Sequence, residues 1–205
     1  MDIQWIFFDV GSTLVDEAKA YDRRARDMLA DTNISFDTFH RKRIQLARAG
    51  FDGNSEAIRF FGLPKTPWPQ EDEILYADAF ETLKQLKHRG YHLAILANQN
   101  PGTAKRLHAW GLLDFFEVIA ASAELGVAKP DPEIFRKALT MAQCPPEKAL
   151  MVGDRLDNDI IPAKQLGMKT LWIRQGLAQY QDISLGKGCA DQIADKLSDL
   201  CELLP

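Results

Sequence analysis

The stretch Ile3-Gln4-Trp5-Ile6-Phe7-Phe8-Asp9-Val10-Gly11-Ser12-Thr13-Leu14 decides the fold. Its first six residues are rich in β-branched and aromatic side chains and stop at an aspartate ahead of a glycine turn. A short apolar run of this kind suits a strand buried on both faces of a parallel sheet. Four more runs follow: Tyr91 to Ala97, stopping at Asn98; Phe116 to Ala120; Ala149 to Val152, stopping at Gly153-Asp154; and Thr170 to Ile173. Helical patterns fill the gaps. Phe80, Leu83 and Leu86 share a face and Gly90 ends it, while Ala104 to Trp110 ends at Gly111. Asp131 reads as an N-cap with Pro132 at the first helical position, turning Ile134, Phe135, Ala138 and Leu139 inward. Ile160 to Leu166 ends at Gly167, and Ile193, Leu197, Leu200 and Leu204 line one face of a last helix. Strand and helix alternate over 75–205, which predicts an α/β fold with a doubly wound parallel sheet and right-handed crossovers.

Residues 16–75 differ. They carry helical patterns without a clear strand, over Ala18 to Leu29 and Phe39 to Ala49, and return through the Pro-rich Leu63-Pro64-Lys65-Thr66-Pro67-Trp68-Pro69. The division expected is a core of 1–15 and 76–205 with a small helical cap of 16–75. Arg23, Arg24, Arg26, Arg41, Lys42 and Arg43 interleave with Asp16, Glu17, Asp22, Asp27 and Asp31, so this charge reads as a solvated helix face. An insert placed directly after the first strand overhangs the carboxyl ends of the strands, where open α/β sheets bind ligands.

Composition narrows the function. The 205 residues are 46% hydrophobic and 26% charged, with a net charge of −4. This is an ordinary globular balance, and it excludes nucleic-acid binding by bulk positive charge. Three cysteines, Cys144, Cys189 and Cys201, are too few and too scattered for a disulfide framework or a structural zinc site. The four histidines (His40, His88, His92 and His108) lack metal-ligand spacing, and Gly186-Lys187-Gly188 reads as a turn. The acidic start does not resemble a signal peptide, and no run approaches the ~18 apolar residues of a membrane helix. The expectation is a cytoplasmic protein with neither membrane nor nucleic-acid partners; oligomeric state is not legible.

Four strand ends carry chemistry: Asp9 after the first, Asn98 after the second, Lys129 in Ala128-Lys129-Pro130-Asp131 after the third, and Asp154 to Asp159 after the fourth. Each has a plain reading as a cap, turn or loop residue. Together, on one edge of one sheet, carboxylates and a lysine converge where a phosphate and a hard cation fit. Oxygen ligands with open positions suit Mg²⁺.

In this order, Phe8-Asp9-Val10-Gly11-Ser12-Thr13-Leu14, Leu96-Ala97-Asn98, Lys129-Pro130 and Gly153-Asp154 with Asp159, the chain resembles the haloacid dehalogenase (HAD) superfamily. The resemblance covers nearly the whole chain, implies a Rossmann-like core with a helical cap, and is specific for fold rather than substrate. It implies that Asp9 is a nucleophile forming an aspartyl-phosphate, which water hydrolyses. It further implies Mg²⁺ held by Asp9, Asp154 and the Gly11 carbonyl, with Asp159 completing the acidic cluster as ligand, through water, or by holding Lys129. Lys129 neutralises the nucleophile and the phosphoryl group. Asn98 and the backbone N–H groups of Val10, Gly11 and Ser12 bind phosphate, and Thr13 buttresses the loop.

Two positions depart from the pattern. Phosphatases of the family usually carry a second aspartate two residues after the nucleophile, as acid and then base; here that residue is Gly11. A hydroxyl residue usually precedes the asparagine; here it is Ala97. General acid–base help is worth about 10²–10⁴-fold. The expectation is a Mg²⁺-dependent phosphatase for a small phosphorylated molecule, weakened or specialised for good leaving groups unless a His or Asp from the cap, or the substrate itself, substitutes for the acid. A non-catalytic binding protein is the alternative, with a 2-haloacid dehalogenase third.

Overall fold

The computed structural model describes residues 2–205. It opens with β1 (Trp5–Phe8) and the short β2 (Val15–Asp16), then α1 (Ala18–Leu29), α2 (Phe36–Arg48), α3 (Gly53–Phe60) and β3 (Ile74–Leu75). The rest alternates: α4 (Ala79–His88), β4 (His92–Ala97), α5 (Thr103–Ala109), β5 (Val118–Ala121), α6 (Ser122–Leu125) and α7 (Pro132–Met141). It finishes with β6 (Ala149–Gly153), α8 (Ile161–Gln165), β7 (Lys169–Ile173), β8 (Gln192–Ala194) and α9 (Leu200–Leu203).

Six strands form one parallel sheet in the order β5-β4-β1-β6-β7-β8. β1 is central because it is the most apolar run, and its side chains divide by strand alternation. Ile6 and Phe8 pack with Leu93, Ile95, Leu150 and Val152 against Leu83 and Leu86 of α4. Phe7 faces the other way, with Leu96, Met151 and Ile134 and Phe135 of α7. Each fully buried side chain of this size contributes about 1.5–3 kcal/mol. From β1 the chain builds one half of the sheet through β4 and β5, then returns to β6 on the other side of β1. The carboxyl end of β1 is therefore a topological switch point, where such sheets form a crevice.

The helical insert follows the first strand as expected. β2 and β3 pair antiparallel, Val15 opposite Leu75, so the chain leaves and re-enters the core at one stem. The helices carry a small core of their own: Met28 and Leu29 of α1 meet Phe39 of α2 and Ala57 of α3. Ser35 and Asp52 cap α2 and α3 with their side chains.

Two expectations fail. Ile193 lies in β8, beside Trp172 of β7, rather than on a final helix, and α9 is only Leu200–Leu203. A three-residue edge strand is too short to show an alternation; its pairing is decided by its neighbour. Phe80 lies in α4 with Leu83 and Leu86, as its spacing predicts, and at 48% exposed leans edge-on against Phe115. Arg43 does not belong to a solvated face: it is 5% exposed, ion-paired with Asp22 and bonded to His40 and Asn54.

Candidate active site

The Asp9 N–H donates to the Val152 carbonyl at 2.9 Å, extending the β1–β6 ladder by one step and fixing Asp9 at the mouth of the sheet. Lys129 arrives from the loop between α6 and α7. Its Nζ donates to Asp9 Oδ1 at 2.7 Å and to Asp159 Oδ1 at 2.6 Å, and its side chain is wholly buried. Asn98 aligns it by a two-way backbone clamp: Nδ2 donates to the Lys129 carbonyl at 2.8 Å, and Oδ1 accepts the Lys129 N–H at 2.7 Å. One Asn98 amide hydrogen is thus committed to the Lys129 backbone.

β6 supplies the remaining acids. Trp172 of β7 donates its indole N–H to the Asp154 carbonyl at 2.7 Å, so a side chain that reads as packing also pins a site residue. Asp159 sits in the helical turn Leu156–Ile160, and its Oδ2 accepts the Arg155 N–H at 3.0 Å. Gly153 makes room for this arrangement, because a Cβ there would lie 2.5 Å from the Asp159 carboxylate. Asp9, Asp154 and Asp159 each bring an oxygen within 4.8 Å of one another. Asp157 points to solvent and pairs with Arg155.

Electrostatics follow from this crowding. Burial works to lower the Lys129 pKa, but Asp159 and Asp9 outweigh it and hold the ammonium above its usual value. Burial, then Asp159 and Asp9, push Asp154 well above the ordinary carboxylate range, and burial also raises Asp159 against the pull of Lys129. One ammonium therefore stands among three clustered carboxylates, two of which it contacts. That excess of negative charge on hard oxygen donors fits a divalent cation such as Mg²⁺.

The first loop differs from expectation at Ser12. The Ser12 N–H is taken by the Val15 carbonyl at 2.8 Å, so it has no hydrogen left for phosphate; the loop doubles back to form β2. The N–H groups of Val10 and Gly11 have no acceptor among the described residues. Thr13 closes the turn through its N–H to the Val10 carbonyl at 3.3 Å, while its buried hydroxyl has no partner.

The sequence reading missed Glu17, which it counted among solvated charges. Glu17 is the residue just ahead of α1, and its carboxylate lies over the first loop. Ser12 Oγ donates to Glu17 Oε2 at 3.2 Å, and a Cβ on Gly11 would lie 2.6 Å from Glu17 Oε1. Burial, then the Asp9 and Glu73 charges, push its pKa up to about 8. The only advance signal was position: Glu17 begins the insert that overhangs the strand ends. Two cavities flank it. One of about 470 Å³ is lined by Ser12, Tyr21, Arg43, Asp154, Arg155 and Gln175; the other, of about 360 Å³, by Glu17, Tyr21, Trp68, Asn98 and Arg106. Arg155 ties the core to the insert through Asp52, Nη1 to Oδ2 at 3.0 Å.

The family model for haloacid dehalogenase-like hydrolases matches residues 3–167, a span that holds every one of these acids and the lysine. The chain belongs to the haloacid dehalogenase-like hydrolases. Among its HAD relatives is the glyceraldehyde 3-phosphate phosphatase of Pyrococcus furiosus, 33% identical, the match covering 98% of this chain and 93% of that one. The crystal structure of a HAD phosphatase from Thermococcus onnurineus superposes with a TM-score of 0.69 at 25% identity, covering 98% of both chains. The HAD-hydrolase YfnB of Bacillus subtilis, bound to magnesium, shares the fold with a TM-score of 0.70 at 23% identity over 98% of both chains. No helix among the described residues is long and apolar enough to cross a membrane.

Proposed function

We propose that this HAD phosphohydrolase cleaves phosphate monoesters of small metabolites through an aspartyl-phosphate on Asp9. The observation that carries the reading is the buried ion triad Asp9–Lys129–Asp159 beside Asp154 at the sheet's switch point. A carboxylate attacking a phosphate dianion must overcome like-charge repulsion. Lys129, 2.7 Å from Asp9, already faces that charge before substrate arrives.

Asp9, Asp154 and the Gly11 carbonyl hold Mg²⁺ in this reading. Asp159, with one oxygen on Lys129 and the other on the Arg155 N–H, orients the lysine and adds its charge to the metal site. A magnesium-bound relative of the same fold supports the metal. A divalent ion held by these residues would supply positive charge against the transferring phosphoryl group. One Asp9 oxygen, free of the lysine, attacks phosphorus in line with the leaving oxygen. Lys129 and the N–H groups of Val10 and Gly11 receive the charge that develops on the phosphoryl oxygens. Asn98 reaches a phosphoryl oxygen with its remaining amide hydrogen. Residues 16–75 act as the cap that chooses the substrate, and the glyceraldehyde 3-phosphate phosphatase relative supports a small phosphorylated metabolite. With Gly11 in the acid's usual place, turnover is weakened or specialised unless another carboxyl reaches the leaving group.

Hydrolysis of p-nitrophenyl phosphate and acetyl phosphate, with and without Mg²⁺, tests this. Wild type is expected to turn over both only with Mg²⁺, and Asp9→Asn neither. A folded wild type without turnover overturns the reading in favour of a binding protein.

A further inference from the structure

Cleaving an alkyl phosphate leaves an alkoxide, which departs slowly unless a proton reaches it in the transition state. The carboxyls around Asp9 are committed, in the phosphatase reading, to the lysine or to the metal. Asp9 and Asp159 share Lys129, and Asp154 completes the acidic cluster. Glu17 forms no salt bridge among the described residues. The Ser12 hydroxyl donates to its Oε2, and the whole carboxylate fills the space into which a side chain on residue 11 would grow, Oε1 lying 2.6 Å and Oε2 2.7 Å from that Cβ position. It also opens on the cavity of about 360 Å³ that Asn98 lines. The glycine at 11 and the glutamate at 17 are thus one arrangement: a larger residue at the first would expel the second.

Resting on the phosphatase reading, we propose that the Glu17 carboxyl is the proton-transfer group of this enzyme, supplied by the insert in place of the first loop. In the first half-reaction the Asp9–phosphorus bond forms, the bond from phosphorus to the ester oxygen breaks, and that oxygen leaves with the Glu17 proton as an alcohol. In the second, Glu17 takes a proton from water as its oxygen bonds phosphorus. The Asp9–phosphorus bond breaks, releasing inorganic phosphate and restoring the Asp9 carboxylate and the protonated Glu17.

The test compares an alkyl phosphate, glycerol phosphate, with p-nitrophenyl phosphate, whose phenolate leaves without a proton. Wild type, Glu17→Gln, Tyr21→Phe, Asp9→Asn and the double variant Gly11→Asp/Glu17→Ala are assayed with Mg²⁺. Glu17→Gln is expected to lower kcat/KM for glycerol phosphate by about 10²–10⁴-fold and that for the aryl ester by less than about tenfold. It should also show a burst of nitrophenolate and an accumulated phosphoenzyme, since water then lacks its base. Moving the carboxyl in the double variant should return at least about a tenth of the alkyl activity, whereas Gly11→Asp alone, which clashes with Glu17, should not exceed wild type. Equal losses on both esters, no loss on either, or the leaving-group dependence appearing in Tyr21→Phe instead overturns the assignment while phosphatase activity stands. If wild type cleaves neither ester, or Asp9→Asn still does, the phosphatase reading and this assignment fall together.

Discussion

Lys129 holds two carboxylates at 2.7 and 2.6 Å from a wholly buried position, so its removal leaves Asp9 and Asp159 facing each other in low dielectric. Breaking such a buried network costs about 3–5 kcal/mol. Lys129→Met, of similar length, is expected to abolish turnover and to lower the unfolding free energy obtained from denaturant melts by that much. Adding Asp9→Asn, which removes one of the stranded charges, should recover part of the loss, since residues in one network do not add. Gly153 is the second residue-scale constraint. Gly153→Ala places a Cβ 2.5 Å from the Asp159 carboxylate, which must turn away from Lys129. The expected outcome is a loss of about 1–3 kcal/mol by thermal melting, with phosphatase activity falling further than stability accounts for.

At the scale of elements, one side chain ties the start of the last strand to its neighbour. Asp191 Oδ2 accepts the Thr170 N–H at 2.9 Å and the Thr170 hydroxyl at 3.1 Å, and Oδ1 meets Lys164 at 2.8 Å, so it anchors the start of β8 beside β7. Partial burial works to raise the Asp191 pKa, but Lys164 and Thr170 outweigh it and hold it below the usual value. A depressed folded-state pKa stabilises the fold above the unfolded value near 4, and that contribution disappears as the pH falls through the folded value. Urea melts between pH 7 and pH 2 should show this acid limb in wild type. In Asp191→Asn, which keeps an acceptor for Thr170 but cannot titrate, the limb should flatten, with a change of under about 1 kcal/mol at pH 7.

For the whole molecule, the insert and the core meet at the Arg155–Asp52 bridge of 3.0 Å, whose side chains are 37% and 26% exposed. Partly exposed pairs contribute about 0–1 kcal/mol, too little to fix the cap but enough to bias its position. Asp52→Asn keeps the oxygen that caps α3 and removes the charge. It should leave the thermal midpoint nearly unchanged while raising KM for a small substrate several-fold, and added salt should raise the wild-type KM toward the variant's. Steady-state assays over a salt series, with melting curves alongside, check both.

The sequence by itself determined the parallel α/β core, the helical insert and the identity of Asp9, Lys129, Asp154 and Asp159. Buried strands must be continuously apolar, and reactive polar residues at their ends interrupt that pattern visibly. Only the tertiary structure decided what those ends do to one another. Asn98 turned out to grip the Lys129 backbone, Ser12 spends its N–H on Val15, and Trp172 pins Asp154. Such contacts join residues far apart in the chain, or engage backbone groups that have no residue identity to read. β8 escaped for a related reason, being three residues whose pairing its neighbour dictates. Glu17 is the clearest case. In sequence it is one acid among several in a charged stretch; in space the stem of β2 and β3 folds it back over Gly11, the one residue small enough to leave it room.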